Sequence, residues 1–133
     1  MKFYRCSLPL RSAGVARTRR AAARYVPVMR LMADTVPVMI WMSGIDGQCT
    51  WFNKPWLTFV GRTLEDELGT GWTQNVHPDD VAQCVDSFMS AVKARRPLSI
   101  EYRLRRSDGA YRWVLDNGAP HHDAAGRFAG FIG

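Results

Sequence analysis

Between Leu98 and Arg105 the chain alternates without a break: Leu98, Ile100, Tyr102 and Leu104 interleave with Ser99, Glu101, Arg103 and Arg105. A period of two places all four apolar side chains on one face, which demands a β-strand dry on one side and wet on the other. Ser107-Asp108-Gly109 is a turn signal, and Tyr111, Trp113 and Leu115 carry the alternation into an antiparallel partner. A cover for the dry face stands just upstream. Val81, Cys84, Val85, Phe88 and Val92 recur at i, i+3, i+4, i+7 and i+11, the apolar stripe of a helix over Asp79–Arg96. Pro78 with Asp79-Asp80 suits its start, Lys93, Arg95 and Arg96 suit its C-terminal end, and Pro97 stops it.

The remaining elements follow from turn and cap signals. Val28, Leu31 and Met32 at helical spacing predict a flanking helix within 25–35. Val38–Ser43 and Cys49–Phe52 read as strands joined by the Asp46-Gly47 turn. Pro55 is placed to open a short helix and Gly61 to close it; Thr63, with Asp66 three residues on, caps another that Gly69 ends. A turn at Asp123–Gly126 leads into a fifth strand from Phe128. Strands grouped at both ends with helices between them predict an α+β domain, helices over one face of an antiparallel sheet.

Charge divides the chain. Its net +6 comes from 1–24, where seven Lys and Arg residues meet no acid; the rest nets −1. The first 24 residues read as a basic, disordered arm, with a transit segment or an arm for nucleic acid or anionic lipid as the other readings. The domain itself offers no uncompensated basic surface, so no nucleic-acid partner is expected of it. The uncharged stretch Thr35–Ile45 is too short to span a bilayer and contains Pro37 and Gly44. Three cysteines, an odd number without close pairing, argue against a secreted disulfide scaffold and for a cytoplasmic, reduced protein.

With these residues in this order, the chain resembles a PAS domain of the subgroup common in bacterial sensor proteins. Asp46-Gly47 before Trp51-Phe52-Asn53 and Trp56 resembles the family's passage from hairpin to helix. Val76-His77-Pro78-Asp79-Asp80 resembles its entry into the long helix, and Glu101–Arg106 with Asp108-Gly109 and Tyr111-Arg112-Trp113 resembles the PAC motif. The likeness covers Ala33–Gly133. It implies a five-stranded antiparallel sheet with short helices and one long helix on one face, enclosing a small cavity in a domain at 36–133. It also implies a fifth strand that runs further than Gly133, toward an Asp-Ile-Thr-like end and a linker helix, so the last strand reads as truncated.

Trp41, Cys84, Val85, Phe88, Tyr102, Leu104 and Trp113 are the candidates to line that cavity. The family's covalent flavin cysteine has no counterpart in Gly71–Val76, and Asp79–Arg96 lacks the histidine that haem versions use. The cofactor is therefore unknown, with a non-covalent flavin or a small organic ligand open. The resemblance implies a sensory module, homodimeric through the Ala33 region and the outer sheet face, feeding an output domain. A sensor histidine kinase is the first expectation and a diguanylate cyclase the second.

Other chemistries find less support. His77 reads as part of a helix start, and His121-His122 point to opposite faces of a strand, so neither predicts a metal site. Cys49 and Cys84 lack a motif-placed base and read as packing. A cone-shaped α+β isomerase or hydrolase would need an inward acid with a partner. The inward positions of the late hairpin are expected to be Leu98, Ile100, Tyr102, Leu104, Tyr111, Trp113 and Leu115, with Glu101 and Asp116 outside among the arginines. No catalytic residue is assigned, and the chain is expected not to be an enzyme.

Overall fold

The computed structural model describes residues 27–133; the basic arm 1–24 and Cys6 lie outside the described residues. Helix α1 covers 27–35. The later elements are β1 (Trp41–Ser43), β2 (Cys49–Phe52), α2 (Lys54–Val60), α3 (Leu64–Glu67), a 3₁₀ turn (Gly71–Asn75), α4 (Pro78–Ala94), β3 (Leu98–Arg105), β4 (Tyr111–His122) and β5 (Phe128–Ile132). The five strands form one antiparallel sheet in the order β2-β1-β5-β4-β3, so the last strand in sequence is central in space.

Local chemistry explains the short helices. Asn53 caps α2 by accepting from Trp56 N, Pro55 occupies its first turn, and Gly61 ends it in the left-handed region at φ 67°. Thr63 and Asp66 make a reciprocal capping box on α3. His77 caps α4 through Nδ1, which accepts from Asp79 N at 3.2 Å. Helix α4 stops two residues before its expected end, because Arg95 turns left-handed at φ 52° and its N–H closes on the carbonyls of Ala91 and Val92.

The first strand is shorter than expected for a related reason. Asn53 is fully buried and its side chain makes four hydrogen bonds. Its Oδ1 accepts from Ile40 N (2.9 Å) and Trp56 N (3.2 Å), while Nδ2 donates to the carbonyls of Ala33 and Val38 (both 2.8 Å). A side chain thus takes Val38 O and Ile40 N, groups that a neighbouring strand would otherwise take.

The core is Phe88 and its neighbours. Phe88 meets Trp41, Trp72 and Phe131 edge-on at 5.3, 6.3 and 6.1 Å, which joins α4 to β1, the 3₁₀ turn and β5. The Trp41 indole packs directly against Gly118 and Gly133, which have no side chain to displace it: a Cβ on Gly133 would sit 2.4 Å from the ring.

Register corrects one expectation. The pairs Leu104↔Arg112, Tyr102↔Val114, Ile100↔Asp116 and Leu98↔Gly118 share a face, and that face is inward. Tyr111, Trp113 and Leu115 therefore point outward with Arg105, Arg103 and Glu101; Trp113 is 68% exposed. The loop between Arg105 and Tyr111 fixes this parity, and a one-residue difference would invert every side chain of β4. Asp116, expected among the outer arginines, is inside.

Both outermost strands have part of their backbone occupied. On β3, Arg103 N donates to Asp80 Oδ2 at 3.0 Å and Arg103 O accepts from His77 N at 2.8 Å. On β2, Cys49 exchanges two backbone hydrogen bonds with Gly69 (3.0 and 2.8 Å).

Candidate functional site

Beneath α4 the sheet closes over a void of about 10 Å³, room for a single water. Its wall is aromatic and aliphatic apart from Cys49, Cys84, Tyr102 and Asp116. Each polar group comes from a different element: Cys49 from β2, Cys84 from α4, Tyr102 from β3 and Asp116 from β4.

Asp116 organises this wall. Its two oxygens accept from Trp41 Nε1 at 3.0 and 3.1 Å, and Oδ2 also accepts from Tyr102 Oη at 3.2 Å. Among the described residues, no Lys, Arg or His forms an ion pair with it. Burial pushes its carboxyl above the usual carboxylate range, against the two hydrogen bonds that pull it down. Burial, with the Asp116 charge behind it, also holds Tyr102 well above the ordinary phenol value. The same causes raise the Cys49 and Cys84 thiols to about 12. At neutral pH these thiols are protonated and poor nucleophiles.

A groove of about 220 Å³ lies against the same wall. It shares Trp41, Trp56, Tyr102 and Asp116 with the closed void and adds Val38, Met39, Val114, Leu115, Asn117 and Gly133.

A second buried carboxylate, Glu67, supports the wall from behind. It accepts from Trp56 Nε1 (2.9 Å) and Asn75 Nδ2 (2.7 Å). Arg62 Nε stands 2.7 Å from Glu67 Oε1 without hydrogen-bond alignment, so that contact is charge against charge. Unlike Asp116, Glu67 has its counter-ion.

Of the residues expected at the cavity, Trp41, Cys84, Phe88 and Tyr102 line the closed void. Leu104 is wholly buried but belongs to the core beside it, and Val85 is half-buried on α4 away from the lining. Trp113 is on the opposite face, under the Arg103 guanidinium at 5.3 Å from its ring centre. Arg103 in turn pairs with Asp80 at 2.6 Å. Asp116 is the site residue that sequence reasoning missed. Counting from Ile100 across the loop would have found it, but the apolar Tyr111, Trp113 and Leu115 pointed to the wrong parity. The premise that the hairpin offers no inward acid falls with that parity. His121 and His122 lie near the end of β4, and among the described residues no group of three or more His, Cys, Asp or Glu is placed to hold a metal ion. Nor, among them, is any helix long and apolar enough to cross a membrane.

The family profile described as "PAS fold" matches residues 50–133. An uncharacterized protein, y4lL of Sinorhizobium fredii, is 41% identical over 104 residues, which is 78% of this chain and 13% of that protein. The peroxide stress-activated histidine kinase mak1 of Schizosaccharomyces pombe is 25% identical over 80% of this chain and 6% of its own length. The chain thus spans a small part of these relatives. Among solved structures, the PAS domain of a Colwellia psychrerythraea protein superposes with a TM-score of 0.61 at 21% identity, covering 88% of this chain and 92% of that one. The N-terminal domain of a diguanylate cyclase with PAS/PAC sensor from Marinobacter aquaeolei gives 0.59 at 18% identity, covering 71% and 92%.

Proposed function

The chain belongs to the PAS-fold family, whose members are sensory modules, and on that footing we propose that it is the input domain of a bacterial sensor histidine kinase. It receives a small ligand at the cavity wall and passes a change in packing to an output domain. The observation that carries this reading is the wall itself: Trp41, Tyr102 and Asp116 join β1, β3 and β4 through one carboxylate. A ligand that displaces one of these hydrogen bonds favours one arrangement of the sheet over another, which is how binding becomes a signal. The kinship with a histidine kinase supports the choice of output. The likeness to the sensor domain of a diguanylate cyclase supports the second choice.

The outer sheet face supports self-association. Trp113 and Leu115 are 68% and 60% exposed there, with Tyr111 beside them. We read this face, with the Ala33 region, as the homodimer contact. An acid–base enzyme is the weaker reading, although Asp116 gives it an inward acid, because the groups that carboxylate touches are the neutral donors Trp41 and Tyr102, and no histidine, lysine or second acid stands in the groove lining to pass a proton on.

The test is a thermal-shift and NMR screen of the 133-residue chain against small organic molecules and free flavin. Hits are checked in a Val114→Phe variant, which fills the groove beside that wall. Ligands that raise the melting temperature of the parent and not of the variant support the module. A chain that binds nothing, and stays monomeric in light scattering at high concentration, refutes it.

A further inference from the structure

The chemistry of the Asp116 wall narrows what such a site accepts, and this step rests on the reading of the wall as a ligand site. A carboxylate has room for about four hydrogen bonds. Asp116 uses its oxygens on two neutral donors, Trp41 and Tyr102, and no cation of the described residues pairs with it. Buried charges are ordinarily paired, and Glu67, bonded to Trp56 of the same wall, follows that rule through Arg62. Asp116 does not. Beside it lies a groove of about 220 Å³ with two indoles, Trp41 and Trp56, in its wall and no Lys, Arg or His in its lining.

We propose that this wall takes a small organic cation, an ammonium group on a compact apolar body, with the ammonium on Asp116 and the body against Trp41, Trp56 and Met39. Three features converge on that class. The carboxylate supplies the missing half of an ion pair, the indole faces attract cations, and the apolar groove walls bury a single ring or short chain. The same features reject acids. A carboxylate or phosphate ligand would bring a second negative charge to Asp116 with no base among the lining residues to offset it, so this wall selects against anionic ligands and phosphorylated cofactors.

The experiment follows the Trp41 indole N–H signal of the full chain by NMR, identified by its loss in Trp41→Phe. The probes share one ring: 2-phenylethylamine, 2-phenylethanol and 3-phenylpropanoate. The amine is expected to shift the signal at millimolar concentration and to bind about tenfold or more tightly than the other two. Asp116→Asn, which keeps an acceptor for Trp41, should remove that preference; Asp108→Asn, a charge change away from the wall, should leave it. If Asp116→Asn does not fold, the parent's pH profile decides. The titratable groups around the carboxylate are Tyr102, Cys49 and Cys84, which keep their charge below neutral pH, and Glu67 behind Trp56, for which Glu67→Gln is the control. Amine affinity should therefore fall with acidification as Asp116 protonates, while alcohol affinity stays flat. Equal binding of the alcohol or the acid overturns the cation assignment and leaves the sensory reading standing. Silence from all three probes overturns it as well, and the broader reading is then judged on its own screen.

Discussion

Replacing Asn53 by Asp changes one amide nitrogen to oxygen in a residue with no exposed surface. The two acceptor bonds survive, since a carboxylate still receives Ile40 N and Trp56 N. The two donor bonds do not: the carbonyls of Ala33 and Val38, each 2.8 Å away, would face a negative oxygen. At about 0.5–1.5 kcal/mol per lost bond, plus about 1–3 kcal/mol for carbonyls left facing an acceptor, the substitution should cost about 3–5 kcal/mol at pH 7. That is a fall of roughly 10–25 °C in Tm for a domain of this size. Asn53→Ala loses all four bonds but adds no charge, and should cost about as much. Urea denaturation followed by circular dichroism measures both. Hydrogen exchange separates them: the Ile40 and Trp56 amides stay protected in Asn53→Asp and open in Asn53→Ala. The Asp variant should also recover stability in acid, where its carboxyl can donate again. Losses under about 1 kcal/mol for both variants would refute the claim that this one side chain ties 33–40 to α2.

With Phe88 in the core and Trp113 turned outward by the parity of β4, Phe88→Ala should cost about 3–5 kcal/mol and Trp113→Ala under about 1 kcal/mol, read from the same urea curves. The Arg103 hydrogen bonds hold the Asp80 carboxyl at about 2, below its ordinary value. Its contribution is therefore complete above the usual carboxylate range and lost as pH falls toward 2, so the parent should lose more stability than Asp80→Asn between pH 4 and 2. Cys49 and Cys84, raised to about 12 by burial, should resist a thiol reagent at pH 8 in the native state of a Cys6→Ser background and react once unfolded in urea.

Much of the fold was written in patterns short enough to read directly. The stripe from Val81 to Val92 and the alternation from Leu98 to Arg105 each repeat several times within one element, so each names its own geometry. Caps are similarly local: Thr63 needs only Asp66, and Pro55 and Gly61 act within a turn. The misread features depend on groups distant in sequence. The facing of β4 is decided by pairing across a loop, and the apolar outer residues Tyr111, Trp113 and Leu115 imitate a core. The late start of β1 depends on Asn53, more than ten residues downstream of Ile40. The Asp116 wall gathers β1, β3 and β4, and no spacing along the chain announces that Trp41 will meet a carboxylate 75 positions away.

The plugs on the two outermost strands bear on how this domain behaves in a crowded solution. A naked terminal strand is a template on which other copies can stack, the first step toward fibrils. His77 and Asp80 occupy that template at Arg103, and Gly69 occupies it at Cys49. Helix start and sheet border thus share the same few atoms. Damage to the His77–Asp80 cap would therefore be felt as loss of solubility before it is felt as loss of shape.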